Sequence, residues 1–149
     1  MPLIQLTTEI NAPIQTVFDL SRSIDFHQES MSTSKEKAIS GRTSGLIELY
    51  ETVTWEAVHF GIKQQLTTRI TAMNAPHSFK DEMEKGAFKS IKHDHVFIFK
   101  DGITTMIDLF RFEAPFGILG KLVNYLVLTK YMTHLLEMRN AAIKEAAEN

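Results

Sequence analysis

Apolar and polar positions alternate from Leu3 to Ile10, with Leu3, Gln5, Thr7 and Glu9 on one face and Ile4, Leu6, Thr8 and Ile10 on the other. A period of two marks a half-buried strand. Asn11-Ala12-Pro13 ends it, and a proline in the first turn opens a helix in which Ile14, Val17, Phe18 and Ser21 recur at helical spacing. A second short helix is expected over Ile24 to Ser30. The polar run from Ser32 to Ser44, broken by Gly41, reads as a loop carrying a short strand near Lys37 to Ser40.

From Gly45 to Phe112 the period is mostly two, punctuated at Gly61, Asn74-Ala75-Pro76, Gly86 and Asp101-Gly102. The pattern predicts strands over Leu46 to His59, Ile62 to Met73, Ser78 to Lys85, Phe88 to Lys100 and Ile103 to Glu113. Asp-Gly between two β-rich runs signals a tight hairpin. Short turns between successive strands imply an antiparallel meander. Pro115 ends the last strand, and a long helix follows. Leu119, Leu122, Val123 and Leu126 form one stripe of it; Met132, Leu135, Leu136, Arg139, Ala142 and Ile143 form another. At about 100° per residue the stripes lie on nearly opposite faces. A straight helix buries only one of them, so a kink or break is expected near Leu128 to Lys130. The competing reading is a straight helix whose first stripe is capped by a partner or loop.

Composition narrows this picture. The 149 residues suit one domain, residues 1–149, with chain enough for a real core. Cysteine is absent, which excludes disulfides, thiolate metal sites and cysteine nucleophiles. A net charge of -2 gives no reason to expect nucleic acid or an anionic membrane as partner. The N-terminus lacks the basic start and apolar run of a signal peptide, and the apolar stretch from Phe116 to Leu128 is too short to span a bilayer. A soluble cytoplasmic protein is the expectation. Ten Phe and seven Met stand against three Tyr and one Trp. Such bulk without hydrogen-bonding demands suits a cavity wall, and an ordinary core as well.

The order of elements resembles a known arrangement. INAPIQTVFDL looks like a first strand running into a first helix, and ETVTWEAVHFG like a central strand pair. FKSIKHDHVFIF, TTMIDLFRFEAPFG and GKLVNYLVLTKYMTHLLEMRN are similar to the last two strands and helix of a bacterial ligand-binding or cyclase-like subgroup. Over nearly its whole length the chain resembles the START-like (SRPBCC) superfamily, which includes the birch-pollen allergen, polyketide cyclases and lipid-transfer domains. The resemblance implies an α+β helix-grip fold. In it a curved antiparallel sheet of six or seven strands wraps a long C-terminal helix, with two short helices after the first strand. It specifies fold and leaves activity open, because this fold hosts binders, transporters and enzymes.

Chemistry-bearing residues concentrate late in the chain. His93, His95 and Phe97 share one face of the fourth long strand with Ile91 and Phe99; Met106, Asp108, Phe110 and Phe112 share one face of the last. Both faces of each strand are mixed, and the resemblance points His93, His95 and Asp108 inward. Three readings stay open for them. A buried carboxylate must be paired, and an imidazole serves. A mostly apolar pocket needs a few polar groups to orient its guest. Two His at i, i+2 beside a carboxylate suit metal binding or general acid–base work. No H-E-x-x-H or comparable motif accompanies them, so no metal or cofactor is expected.

Further cavity candidates are Trp55, His59, Phe79, Asp81 and Met83 from earlier strands, and Met132, Leu135 and Arg139 from the helix. Phe97, Met106 and Phe110 are expected as walls. His27 with Glu29 is a candidate for the cavity mouth, as are Ser32 to Ser44 and Gly117 to Gly120. No phosphate loop, nucleophile elbow or basic aromatic patch is present. The reading is a binder of an apolar or amphipathic small molecule: a lipid, a fatty-acid-like compound or a polycyclic aromatic. The alternatives are a cyclase- or aromatase-like enzyme using the His and Asp groups, and an interaction module. In the latter, Ile118, Leu119, Leu122, Tyr125 and Leu126 would form a homodimer or membrane-surface patch.

Overall fold

The described residues of the computed structural model are 2–114 and 121–149, with side chains from Tyr125 onward in the second segment. Strand β1 spans Leu3–Ile10, followed by helices α1 (Ile14–Arg22) and α2 (Ile24–Ser30). Then come β2 (Lys37–Gly41), β3 (Thr52–His59), β4 (Ile62–Asn74), β5 (Ser78–Lys85), β6 (Ser90–Lys100), β7 (Ile103–Glu113) and helix α3 (Lys121–Glu148). The strands form one seven-stranded sheet in the order β1-β7-β6-β5-β4-β3-β2, antiparallel at every pairing. This is the helix-grip arrangement.

Local chemistry explains most boundaries. Ser23 caps α2, its hydroxyl accepting the Phe26 N–H at 3.1 Å. Asp101 and Gly102 both have positive φ (53° and 80°) between paired Lys100 and Ile103, as a two-residue primed hairpin turn requires. Phe60 and Gly61 (54° and 74°) do the same between β3 and β4.

Three expectations need correction. The strand expected from Leu46 begins at Thr52. The residues before it turn to the α1–α2 junction instead: Ile47 N–H donates to the Arg22 carbonyl, and the Gly45 carbonyl accepts from Ile24 N–H. The strand expected from Phe88 begins at Ser90, with the Phe88 ring packed edge-on against Phe112 at 5.7 Å. Helix α3 runs through Leu128–Lys130 without a break. It buries the stripe containing Leu136, Arg139, Asn140 and Ile143 and leaves Leu126 and Val127 exposed. Of the other stripe, Leu119 and the side chains of Leu122 and Val123 lie outside the described residues.

The core has two parts. Phe18 of α1 meets Phe79 and Phe97 edge-on at 5.6 and 5.4 Å, within a cluster that includes Ile10, Val17, Met106 and Ile143. Ile4, Ile91, Phe110, Phe112 and Leu136 form the second cluster. Between them the sheet and α3 do not close on each other completely.

Candidate functional site

The register of β5, β6 and β7 sets the site. His95 lies opposite Asp108 on one side and Phe79 on the other, while His93 lies opposite Phe110 and Asp81. Directly opposed residues on one sheet face stand within side-chain reach. The rings stack in a row as a result: His93 on His95 at 3.7 Å, and His95 on Phe79 at 4.0 Å.

Asp108 is fully buried and saturated. Its Oδ1 accepts from His93 Nε2 at 2.7 Å and from Arg139 Nη1 at 3.2 Å; its Oδ2 accepts from Asn140 Nδ2 at 2.8 Å. Burial alone raises a carboxyl, but Arg139 and then His93 outweigh it and hold Asp108 well below the usual carboxylate range. Asp108 is therefore an anion inside the protein, made tolerable by three donors.

The state of His95 follows from its neighbours. Arg139 Nη2 lies 3.2 Å from its Nδ1, and a guanidinium can only donate. Nδ1 is therefore the acceptor, and the proton sits on Nε2, which donates to Asp81 Oδ2 at 2.7 Å. His95 is the neutral Nε2–H tautomer. Burial first, then His93, push its pKa down to about 4, against the opposing pull of Asp81. Burial raises Asp81 as well, but the His95 hydrogen bond and nearby positive groups bring its net shift below the ordinary value.

Next to this cluster a cavity of about 400 Å³ opens between the sheet and α3. Its floor is Leu66, Ile70, Phe79 and Phe110 from the strands, and its roof Leu128, Met132, Leu135 and Leu136 from the helix. Asp81, His93, His95 and Arg139 line one polar patch. His27, Glu36, Trp55, His59, Phe60 and Tyr131 line another part of the wall. There His59 Nδ1 is hydrogen-bonded to the Tyr131 hydroxyl at 2.6 Å, and the Phe60 ring lies 4.5 Å from Tyr131, so the β3–β4 hairpin touches α3. His27 Nε2 meets Glu36 Oε1 at 2.7 Å. Burial raises the Glu36 carboxyl, and His27 and Ser34 more than reverse the effect.

Among the expected cavity residues, Trp55, His59, Phe79, His93 and His95 line this space, as do Phe110, Met132, Leu135 and Arg139. Asp108 stands behind the lining, hydrogen-bonded to His93 and Arg139, which do line it. Phe97 and Met106 face inward but are not walls. They lie where α1 covers the sheet: Phe97 against Phe18, and Met106 Sδ accepting from the Ser21 hydroxyl at 3.4 Å. Met83 packs against the second core cluster and does not reach the cavity. The partner of His27 is Glu36 rather than Glu29, because the turn after α2 brings Glu36 back over the helix. Gly117 to Gly120 lie outside the described residues.

Asn140, Glu36 and Tyr131 were not singled out by sequence reasoning. A signal for Asn140 exists: Arg139-Asn140 puts two adjacent polar side chains into an otherwise apolar helical stripe. Asp81, His93 and His95 bring possible ligand atoms within 4.8 Å of one another. Against a cation there, stacked imidazoles aim their lone pairs side by side rather than at one point, and Arg139 already holds a positive charge on His95.

Neither a protein-family model nor a curated protein sequence matches this chain. Solved structures do. TTHA0849 from Thermus thermophilus superposes with a TM-score of 0.75 at 17% identity, covering 98% of this chain and 99% of that one. Major latex-like protein 151 from Panax ginseng gives 0.72 at 13%, covering 99% and 98%. A START superfamily protein from Mycobacterium smegmatis gives 0.72 at 13%, covering 98% and 97%. The chain shares the helix-grip fold of these structures, one of them a START superfamily protein, over nearly its whole length.

Proposed function

We propose that this protein binds an apolar or amphipathic small molecule in the cavity between its sheet and α3. The observation that carries the reading is the cavity itself: about 400 Å³, apolar on floor and roof, with ionisable groups gathered on parts of its wall. Small-molecule sites have this size and make-up. Burial of the ligand's apolar surface provides the affinity, and the polar patch sets its orientation.

Native mass spectrometry of protein purified from its own host tests the proposal. The expected result is an adduct that survives native conditions and is lost on denaturation. The reading is overturned if the protein is bare and also fails to take up a neutral apolar dye.

One observation favours a second, enzymatic reading. His93 has a buried carboxylate behind Nε2 while its ring borders the cavity, the arrangement of an oriented general base. A cyclase- or aromatase-like proton transfer is compatible with it. On that reading His93→Gln abolishes turnover of a bound substrate while its affinity stays within about threefold. The binding reading expects no chemical change in the ligand recovered from the protein.

A further inference from the structure

Charge around the cavity wall is unevenly balanced. Two arginines line it. Arg22 is held by Asp19 and by Glu48. Arg139 is held by Asp108, with its other contacts on Asn140 and His95. Among the described residues no lysine lines the cavity. Among the described residues, then, every lining cation already faces a carboxylate. Of the carboxylates that line the space, Glu36 is engaged by His27 and Ser34. Asp81 is different. It sits 20% exposed at the cavity wall, and among the described residues the one hydrogen bond it accepts from a side chain goes to Oδ2, from His95. Its Oδ1 is left for whatever occupies the space.

From this asymmetry we infer that the ligand presents a hydrogen-bond donor, a hydroxyl, phenol or amine, to Asp81, and that carboxylate-bearing molecules are disfavoured. The inference rests on the binding function proposed above and narrows its ligand class. A donor meeting Asp81 makes a charge-assisted hydrogen bond, which is strong where water is displaced. A ligand carboxylate meets an anion instead and has no uncommitted cation to balance its own desolvation. Above the ordinary imidazole range the polar patch and its backing contain two carboxylates, Asp81 and Asp108, against the single guanidinium of Arg139. The fatty-acid class is thereby set aside in favour of alcohols, phenols and amines.

The test uses the full chain, freed of any co-purified ligand, at about pH 8, where ordinary imidazoles are uncharged. Nile red, a neutral apolar dye, is bound first. It is then displaced by dodecanol, dodecylamine and dodecanoate below their micelle thresholds, and by naphthol and naphthoate. The expected result is displacement by the alcohol, amine and phenol at concentrations about tenfold or more below those of the matching carboxylates. Asp81→Asn should shrink that gap to less than about threefold, chiefly by admitting the carboxylates. Asp81→Ser serves if the asparagine variant melts early. Equal or better displacement by carboxylates of the wild-type protein overturns the inference and leaves the binding function standing. An unchanged ranking in a folded Asp81 variant also overturns it. Failure of the wild-type protein to bind the dye or any competitor overturns the binding function, and the inference with it.

Discussion

Asp108 accepts hydrogen bonds from residues 93, 139 and 140, all of them far from it in the chain. Asp108→Asn removes the charge and leaves the Arg139 guanidinium buried without its counter-ion. A loss of about 3–5 kcal/mol is expected, measured by urea unfolding. The double variant Asp108→Asn with Arg139→Gln should lose less than the sum of the two single changes, because the pair is coupled. His95 gives a pH signature. Its folded pKa of about 4 lies below the ordinary 6.5, so the unfolded chain takes up the proton first as pH falls. The stability tied to neutral His95 is thus complete above 6.5 and declines between 6.5 and 4. His59, lowered by burial, adds a slope of the same sign. Asp108, Asp81 and Glu36 are depressed as well, and their contributions are lost only at lower pH, as each carboxylate is protonated. Unfolding free energies taken at pH 7.5 and about pH 5 should differ by a kcal/mol or more in the wild type and by clearly less in His95→Gln.

At the scale of elements, the turns carry strict backbone demands that differ in kind. Gly102, with φ 80°, has open space where a Cβ would stand, so Gly102→Ala meets only the left-handed backbone cost, about 1 kcal/mol. Gly41, with φ 73°, faces the Thr52 carbonyl of the neighbouring strand, and a Cβ there collides with backbone that cannot yield. Gly41→Ala should therefore cost clearly more than Gly102→Ala, measured by paired thermal melts. Hydrogen exchange should show the added opening confined to β2 and β3, since among the described residues β2 is an edge strand paired only with β3. The β3–β4 hairpin is joined to α3 through His59 and Phe60 on Tyr131. Tyr131→Ala removes both contacts and should raise exchange at the hairpin tip while leaving the β6–β7 amides protected.

For the molecule as a whole, the cavity is space the core has not filled, so filling it separates stability from binding. Ala57 is buried on β3 and lines the cavity. Ala57→Phe adds apolar volume and a side chain favoured in strands. The expected outcome is a melting temperature unchanged or raised, with affinity for Nile red reduced about tenfold or more. A large fall in melting temperature with unaltered dye affinity would instead mean that this space is closed in solution.

Strand and helix positions were largely legible in local pattern. The alternation in β1, the Asp101-Gly102 turn and the proline before α1 act between neighbouring residues, so they read directly from the chain, and the resemblance ordered them into a helix-grip. Where local pattern failed, distant contacts decided. Residues 46–51 have strand-like alternation, yet Leu46 and Ile47 bond to the α1–α2 junction and Glu51 N–H turns back to the Glu48 carbonyl, so the strand starts only at Thr52. The site was half legible. His93, His95 and Asp108 stood out as chemistry on mixed strand faces, but alternation cannot say which face is inside, because both faces of β6 and β7 carry polar and apolar groups. Only the pairing of β5, β6 and β7 and the seating of α3 decide that Asp108 is held behind the wall by Arg139 and Asn140, that His95 is neutral, and that Asp81 is left facing the cavity. Those outcomes depend on burial and on charges brought together from about sixty residues of chain, from Asp81 to Asn140. Electrostatic and desolvation terms are set by distance in space, and sequence spacing does not contain that distance.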